Sequence, residues 1–282
     1  MTTTKIYDKL NRLTGMTSTP SGGGQLPFSY GSSYNEANQR ITVTMNDGSY
    51  WVYEYDTLGQ IKSAKKHFAD GTFVPGQQFT YSHSDIGNRA SSTIGGTETG
   101  GSSGINTYQT IPNKVNQYLR KYGALGYNIL GTAHPGSNVV VNGSSVNYRR
   151  GEYFWKWMSV TSSTSPRWLP VEVASGSQTN GNIFMPGRPE YFTYDLDGNM
   201  LSDGRWNYTW DAENRLTSMT VNTNVGPQQR IVFEYDYQGR RIAKKVWNNT
   251  AGTGTPATYL KYLYDGWKLV AELGGDNALG RS

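Results

Sequence analysis

The feature that most constrains this chain is a short unit that returns along it: an aromatic residue, then Asp, two variable residues, Gly or Asn, and a polar residue ahead of an apolar one. The unit reads Tyr7-Asp8-Lys9-Leu10-Asn11-Arg12-Leu13, Tyr55-Asp56-Thr57-Leu58-Gly59-Gln60-Ile61 and Tyr194-Asp195-Leu196-Asp197-Gly198-Asn199-Met200. It returns as Trp210-Asp211-Ala212-Glu213-Asn214-Arg215-Leu216 and as Tyr235-Asp236-Tyr237-Gln238-Gly239-Arg240-Arg241-Ile242. Weaker copies begin at Tyr34, at His83, which stands in for the aromatic, and at Tyr264-Asp265; a degraded one runs from Asn113 to Gln117. Spacings between anchors run mostly from 16 to 29 residues, with one long gap between His83 and Tyr194. Self-similarity of this kind means one supersecondary unit repeated, each copy burying its apolar face only against a neighbour.

Elementary chemistry reads the unit as a β-hairpin. Ahead of each turn, aromatic residues alternate, as in Trp51-Val52-Tyr53-Glu54-Tyr55 and Phe233-Glu234-Tyr235, which sets the rings on one face of a strand. The Asp carboxylate accepts a hydrogen bond from the backbone N–H two residues on, and Gly or Asn takes the left-handed conformation that closes the turn. The returning strand alternates again, as in Arg241-Ile242-Ala243-Lys244-Lys245-Val246-Trp247. Basic residues recur early in it (Arg12, Arg40, Lys62, Arg89, Arg215, Arg240), within reach of the turn acids or those of the neighbouring hairpin. A lone hairpin is marginal in water, whereas stacked copies pair edge to edge into a long sheet that twist obliges to coil. The expected fold class is therefore all-β: stacked antiparallel hairpins forming a curved or spiralling sheet.

Composition agrees. With 35% apolar residues, 21 Tyr, 8 Trp and 34 Gly, the chain favours pleated surfaces and tight turns over helices. It has no Cys, which excludes disulfides, thiolate metal sites and thiol catalysis. The net charge of +5 is scattered in ones and twos, so nucleic acid is not an expected partner. No stretch nears the roughly eighteen apolar residues of a membrane span, and the N-terminus has no apolar signal core.

The Tyr-Asp-x-x-Gly-Arg/Asn-Leu units resemble the tyrosine–aspartate (YD) repeats of the bacterial Rhs (rearrangement hotspot) family, repeats also found in the shells of insecticidal toxin complexes and in teneurins. The resemblance covers about residues 1–95 and 190–273, ending in Tyr262-Leu263-Tyr264-Asp265-Gly266-Trp267-Lys268-Leu269-Val270-Ala271-Glu272-Leu273. It implies a β-sheet strip that forms part of a cocoon around a polypeptide cargo and is itself inert. The implied partners are that cargo or the remaining shell, and the implied setting is export or the cell surface in a bacterial parent. The family's core ends in an Asp-Pro-x-Gly type segment with a self-cleavage motif before a variable toxin. No Asp-Pro dipeptide occurs in this chain, so neither autoproteolysis nor toxin activity is expected of it.

Three segments follow: YD hairpins over 1–95, an insert over 96–189, and YD hairpins over 190–282. The insert opens with Gly95-Gly-Thr-Glu-Thr-Gly-Gly-Ser-Ser-Gly104, read as a flexible loop; Val139 to Val146 reads as a hairpin, and Arg149 to Trp157 as an aromatic strand. Tyr153, Trp155 and Trp157 share a face, as sheet core or as a platform for glycans or a cell surface. Catalysis has no motif. The three His residues form no His-x-x-x-His pair, and no Gly-x-Ser-x-Gly is present. Asp195-x-Asp197-Gly198-Asn199-x-x-x-Asp203 echoes a calcium loop without its distal Glu and coincides with a repeat turn. No catalytic, cofactor or metal residues are expected. The structural residues expected at turns are Tyr7, Asp8, Tyr55, Asp56, Gly59, Tyr194, Asp195, Gly198, Trp210, Asp211, Tyr235, Asp236, Gly239, Tyr264 and Asp265. An open strip also exposes sheet edges, which favours edge-to-edge self-association.

Overall fold

Alternating aromatic and polar residues broken by Asp/Gly or Asp/Asn turns leave the backbone little choice but short antiparallel strands, and the computed structural model, which describes residues 1–22 and 27–275, contains strands and turns and no helix among them. The first nine strands are β1 Thr2–Tyr7, β2 Leu13–Thr19, β3 Phe28–Tyr34, β4 Arg40–Met45, β5 Tyr50–Tyr55, β6 Ile61–His67, β7 Phe73–His83, β8 Arg89–Gly95 and β9 Asn106–Pro112. They lie side by side in chain order, each antiparallel to the last. Cross-strand rings line this meander: Tyr50 stacks on His67 at 4.9 Å, and Trp51 meets Phe79 at 6.0 Å.

The middle of the chain supplies β10 Tyr118–Tyr122, β11 Gly126–Thr132, β12 Val140–Val141, β13 Ser144–Ser145, β14 Tyr148–Arg150, β15 Tyr153–Ser159, β16 Arg167–Ser175, β17 Ser177–Met185 and β18 Glu190–Tyr191. Strands β11, β15 and β14 form a three-stranded sheet, β13, β12, β16 and β17 a four-stranded one, and β10 pairs with β18. The hairpin expected between Val139 and Val146 is present, with Asn142 and Gly143 both left-handed at its two-residue turn. The single strand expected over Arg149 to Trp157 is instead a hairpin. Gly151, at φ 54°, turns the chain between β14 and β15, whose pairing sets Arg150 opposite Tyr153.

The last eight strands, β19 Thr193–Tyr194, β20 Met200–Ser202, β21 Trp206–Trp210, β22 Leu216–Val221, β23 Arg230–Tyr235, β24 Arg241–Trp247, β25 Thr258–Asp265 and β26 Lys268–Gly274, form a second antiparallel meander in chain order.

The chain divides into two compact units, and the segment 96–189 is shared between them. One unit comprises Met1–Thr110, Ala124–Thr161 and Glu172–Thr179; the other comprises Ile111–Gly123, Ser162–Val171 and Asn180–Ser282. In the first unit the buried apolar groups are Val74, Val139, Val141, Phe154 and Trp155, most of them brought by the middle strands onto the meander. In the second they are Val221, Phe233 and Ala243, within the sheet itself.

The glycine-rich stretch expected to be a flexible loop is a folded turn. Gly95, Gly96 and Gly104 are buried, Gly76 N–H donates to the Gly96 carbonyl at 2.9 Å, and the Gln78 amide donates to Thr97 O at 2.7 Å. The physical reason is close approach. A Cβ built on Gly104 would stand 2.5 Å from Cζ2 of Trp155, so these glycines make room for an indole.

Candidate functional site

The repeated turn is the one arrangement this chain builds again and again, and its atoms superimpose in role. After the aromatic residue, the N–H of Asp8 donates to Arg12 O, of Asp56 to Gln60 O, of Asp195 to Asn199 O, of Asp211 to Arg215 O and of Asp236 to Arg240 O, all at 2.9–3.0 Å. The carboxylate then accepts from the N–H two residues on and from the N–H four residues on, as Asp211 does from Glu213 and Arg215, both at 3.0 Å. The fourth residue counted from Asp is left-handed in every copy, as Asn11, Gly59, Gly198, Asn214 or Gly239. This is a type I turn closed by a left-handed residue, the usual three-residue hairpin loop.

The weak copies are equivalent. Asn35, Ser84 and Asn113 make the same N–H bond four residues on, at 2.9, 2.7 and 2.8 Å, with Asn38, Gly87 and Asn116 left-handed. Pairing agrees across copies: Tyr7 faces Leu13, Tyr34 faces Arg40, Tyr55 faces Ile61, His83 faces Arg89, Tyr194 faces Met200, Trp210 faces Leu216 and Tyr235 faces Arg241. Tyr264-Asp265 departs from this pattern. Asp265 ends β25 and pairs with Lys268 across a two-residue turn in which Gly266 is left-handed, one residue shorter than the others.

Two contacts join one turn to the next. First, the polar end of each anchor aromatic reaches back to the preceding hairpin. Tyr34 Oη donates to Leu13 O at 2.8 Å, Tyr55 to Arg40 O at 2.8 Å, Tyr235 to Leu216 O at 2.8 Å and Tyr264 to Arg241 O at 3.0 Å. Trp210 does the same through its indole N–H to Met200 O at 2.8 Å, and Tyr194 donates to Tyr118 O at 3.2 Å. In every case but that of Tyr194 the acceptor is the residue that faced the previous anchor, so the contacts form a relay. Second, the basic residue after the turn spans two hairpins. Arg215 Nε holds Asp211 at 2.7 Å while its Nη1 donates to Asp236 O at 3.4 Å and its guanidinium lies 5.3 Å from the Tyr235 ring. Arg12 repeats this with Asp8, Asn35 O and Tyr34, and Arg240 with Asp236, the Gly266 carbonyl and Tyr264.

These bonds set the turn electrostatics. Backbone hydrogen bonds from Arg12 and Arg215, then their guanidinium groups, hold the Asp8 and Asp211 carboxyls below the usual carboxylate range. For Asp195 and Asp236 partial desolvation pushes upward, but the donors at Asn199 and Arg240 outweigh it and the net shift is also downward. Every one of these acids is committed to its turn. Both Asp195 oxygens accept from Asp197 or Asn199, so the calcium-like spacing is a hairpin turn, and no cluster of three or more His, Cys, Asp or Glu occurs among the described residues.

The ring platform is divided by burial. Trp155 is 4% exposed, lies against Gly76 and Gly104, and donates its Nε1 hydrogen to Asn128 Oδ1 at 2.7 Å, which makes it a core group and removes it from any surface for glycans. Tyr153 donates to Pro75 O, and desolvation pushes its hydroxyl up to about 12. Trp157 is half-buried, with its ring edge over Gly126.

The relay is what sequence reasoning missed, although a signal for it exists. The anchor position holds Tyr or Trp, with His83 in one copy, all carrying a polar ring or hydroxyl group, and is never one of the chain's 8 Phe residues.

No family model matches the chain. Among curated proteins, the tRNA3(Ser)-specific nuclease WapA of Bacillus spizizenii is 37% identical over 95 residues, which is 33% of this chain and 4% of that protein. The tRNA nuclease WapA of Bacillus subtilis strain 168 is 36% identical over the same length and shares. The chain therefore spans 4% of the length of the curated relatives it matches. Among solved structures, a TcdB2-TccC3-Cdc42 crystal structure aligns over 96% of this chain and 13% of its own, at 13% identity and a TM-score of 0.43. A Photorhabdus luminescens Tc holotoxin pore aligns over 98% and 13%, at 14% identity and a TM-score of 0.41. The equivalent Tyr-Asp turns, their shared register and the antiparallel meanders they join define the class as an all-β protein of tandem Tyr-Asp hairpins, similar over 95 residues to the WapA proteins.

Proposed function

We propose that the chain is a structural wall segment, a curved YD-repeat sheet that encloses or presents a polypeptide within a larger toxin-related protein and performs no catalysis of its own. The observation that carries this reading is that the repeated acids, the residues best placed by number and spacing to do chemistry, are consumed as turn caps and as partners of Arg12, Arg215 and Arg240. A row of acids used this way builds a sheet. The activities named for the WapA relatives belong to proteins of which this chain matches a small part, and the wall reading predicts that the segment lacks them.

The test uses the purified chain with two probes. Incubated with total tRNA, it leaves the tRNA intact; titrated into a fluorescent unfolded polypeptide, reduced carboxymethylated α-lactalbumin, it raises the anisotropy. Hydrolysis of tRNA by the chain, or no binding of the unfolded polypeptide at any concentration, contradicts the proposal.

A further inference from the structure

In the second unit one cation is walled by rings and has no acid partner. The Arg205 guanidinium lies 4.8 Å from the centroid of the Phe184 ring, 5.4 Å from that of Trp168 and 5.5 Å from that of Trp206. Trp168 comes from β16, Phe184 from β17, and Trp206 follows the arginine at the start of β21. Rings attract a guanidinium and cover its weakly hydrated faces, but they use none of its five N–H donors. Arg12, Arg215 and Arg240 spend theirs on turn acids. Arg205 makes no side-chain hydrogen bond or ion pair among the described residues, and its nitrogens stay open to solvent. The indole N–H groups of Trp168 and Trp206 also lack an acceptor there, whereas those of Trp155, Trp210 and Trp247 donate to Asn128 Oδ1, Met200 O and Gly254 O.

The backbone beneath this cluster is fixed. Asp203 Oδ1 accepts from the N–H of Arg205 and of Trp206, both at 2.7 Å, and Asn222 N–H donates to Arg205 O at 2.9 Å. Trp168 is held by the turn at Gly226, where an added Cβ would stand 2.8 Å from Cε3 of the indole. A guanidinium with free donors on a base held this firmly is preorganised for an anion. The acids at hand do not supply it. Asp203 gives its other oxygen to Tyr208 Oη at 2.7 Å, and Glu190, packed against Gly204, pairs with Lys121 at 3.1 Å.

We propose that Arg205, with Trp168, Phe184 and Trp206, binds a lone carboxylate of a polypeptide, an Asp or Glu side chain flanked by apolar residues. Donors without acceptors select an oxyanion, the planar fork suits the two oxygens of a carboxylate, and the three rings offer apolar surface to its neighbours. The same surroundings argue against a nucleic-acid strand, which carries a charge on every nucleotide and would bring further phosphates near Asp203 and Glu190. A single carboxylate meets no such repulsion. All of these residues lie within one compact unit, and the site does not depend on the sheet enclosing a cargo, so its failure leaves the wall reading untouched.

The test titrates the full chain at neutral pH with acetyl-Leu-Glu-Leu-amide and follows the NMR signals of the Arg205 Nε–H and of the Trp168 and Trp206 indole N–H groups. These signals shift together and saturate. Acetyl-Leu-Gln-Leu-amide, of the same shape without the charge, binds at least about tenfold more weakly, as the loss of charge-assisted hydrogen bonds requires. Arg205→Gln removes the preference for Glu, and Arg205→Lys, which keeps the charge but not the fork, retains part of it. Lys62→Gln, an equal loss of charge at an exposed site in the other unit, leaves the preference intact. Comparing the two peptides on the unaltered chain needs no variant to fold. Equal binding of the two peptides, no shift of these signals with either, or a preference that survives Arg205→Gln overturns the proposal. So does oligothymidylate that shifts the same signals and binds more tightly than the Glu peptide.

Discussion

A tyrosine and a phenylalanine differ by one oxygen, and in this chain that oxygen joins one hairpin to the next. Tyr235 half-buries its ring and carries its hydroxyl to Leu216 O, so removing the oxygen leaves an acceptor without its partner. Tyr235→Phe is expected to lower stability by about 1 kcal/mol in urea unfolding, whereas Tyr237→Phe, at a site 89% exposed, leaves the midpoint unchanged. The turn acids make a pH prediction of definite sign. Asp8, Asp195, Asp211 and Asp236 have folded-state pKa values below the ordinary one, so their contribution is complete above the unfolded carboxylate value, about 4, and is lost as pH falls below it. The urea midpoint should therefore fall as the solution is acidified through that range. Asp211→Asn with Asp236→Asn should flatten the fall while keeping the turn, because Asn35 and Asn113 already cap their turns through Oδ1.

At the scale of the element, much of the hairpin was legible in the sequence, because a turn is a local object. Asp, two residues on, and a left-handed Gly or Asn are fixed by a handful of backbone atoms, and the five clear copies, the weak ones at Tyr34 and His83 and the degraded one at Asn113 fold alike. The relay and the two-hairpin arginines were not legible as specific contacts, since they join residues 10 to 76 positions apart whose neighbourhood only pairing creates. The Gly95–Gly104 stretch misled for a related reason: composition cannot distinguish glycine chosen for freedom from glycine chosen for closeness to a ring. Gly104→Ala tests this. Its Cβ would enter the indole of Trp155, an overpacking expected to cost about 1–3 kcal/mol and to red-shift tryptophan emission. Gly239→Ala, at φ 78°, is expected to cost about 1–2 kcal/mol in the same unfolding assay from backbone strain alone. Gly181→Ala, with open space around it and no such backbone, is expected to be near neutral.

For the molecule, what matters is that each hairpin is incomplete without its neighbour. The buried apolar side chains are few in each unit, and most of the aromatic rings are half-exposed along the sheets. Stability then rests on junctions between successive hairpins, as in other repeat architectures. A sheet assembled in this way suits a wall, in which each added turn extends the surface without demanding a new core.

Residue-resolved amide hydrogen exchange by NMR tests this account most directly. The N–H groups of Arg12, Gln60, Asn199, Arg215 and Arg240, each donated to a turn carboxylate, should exchange slowly and to a similar degree, as befits equivalent bends held in paired sheets. Exchange at unstructured-chain rates at these amides, or widely different protection from one repeat to the next, would contradict it.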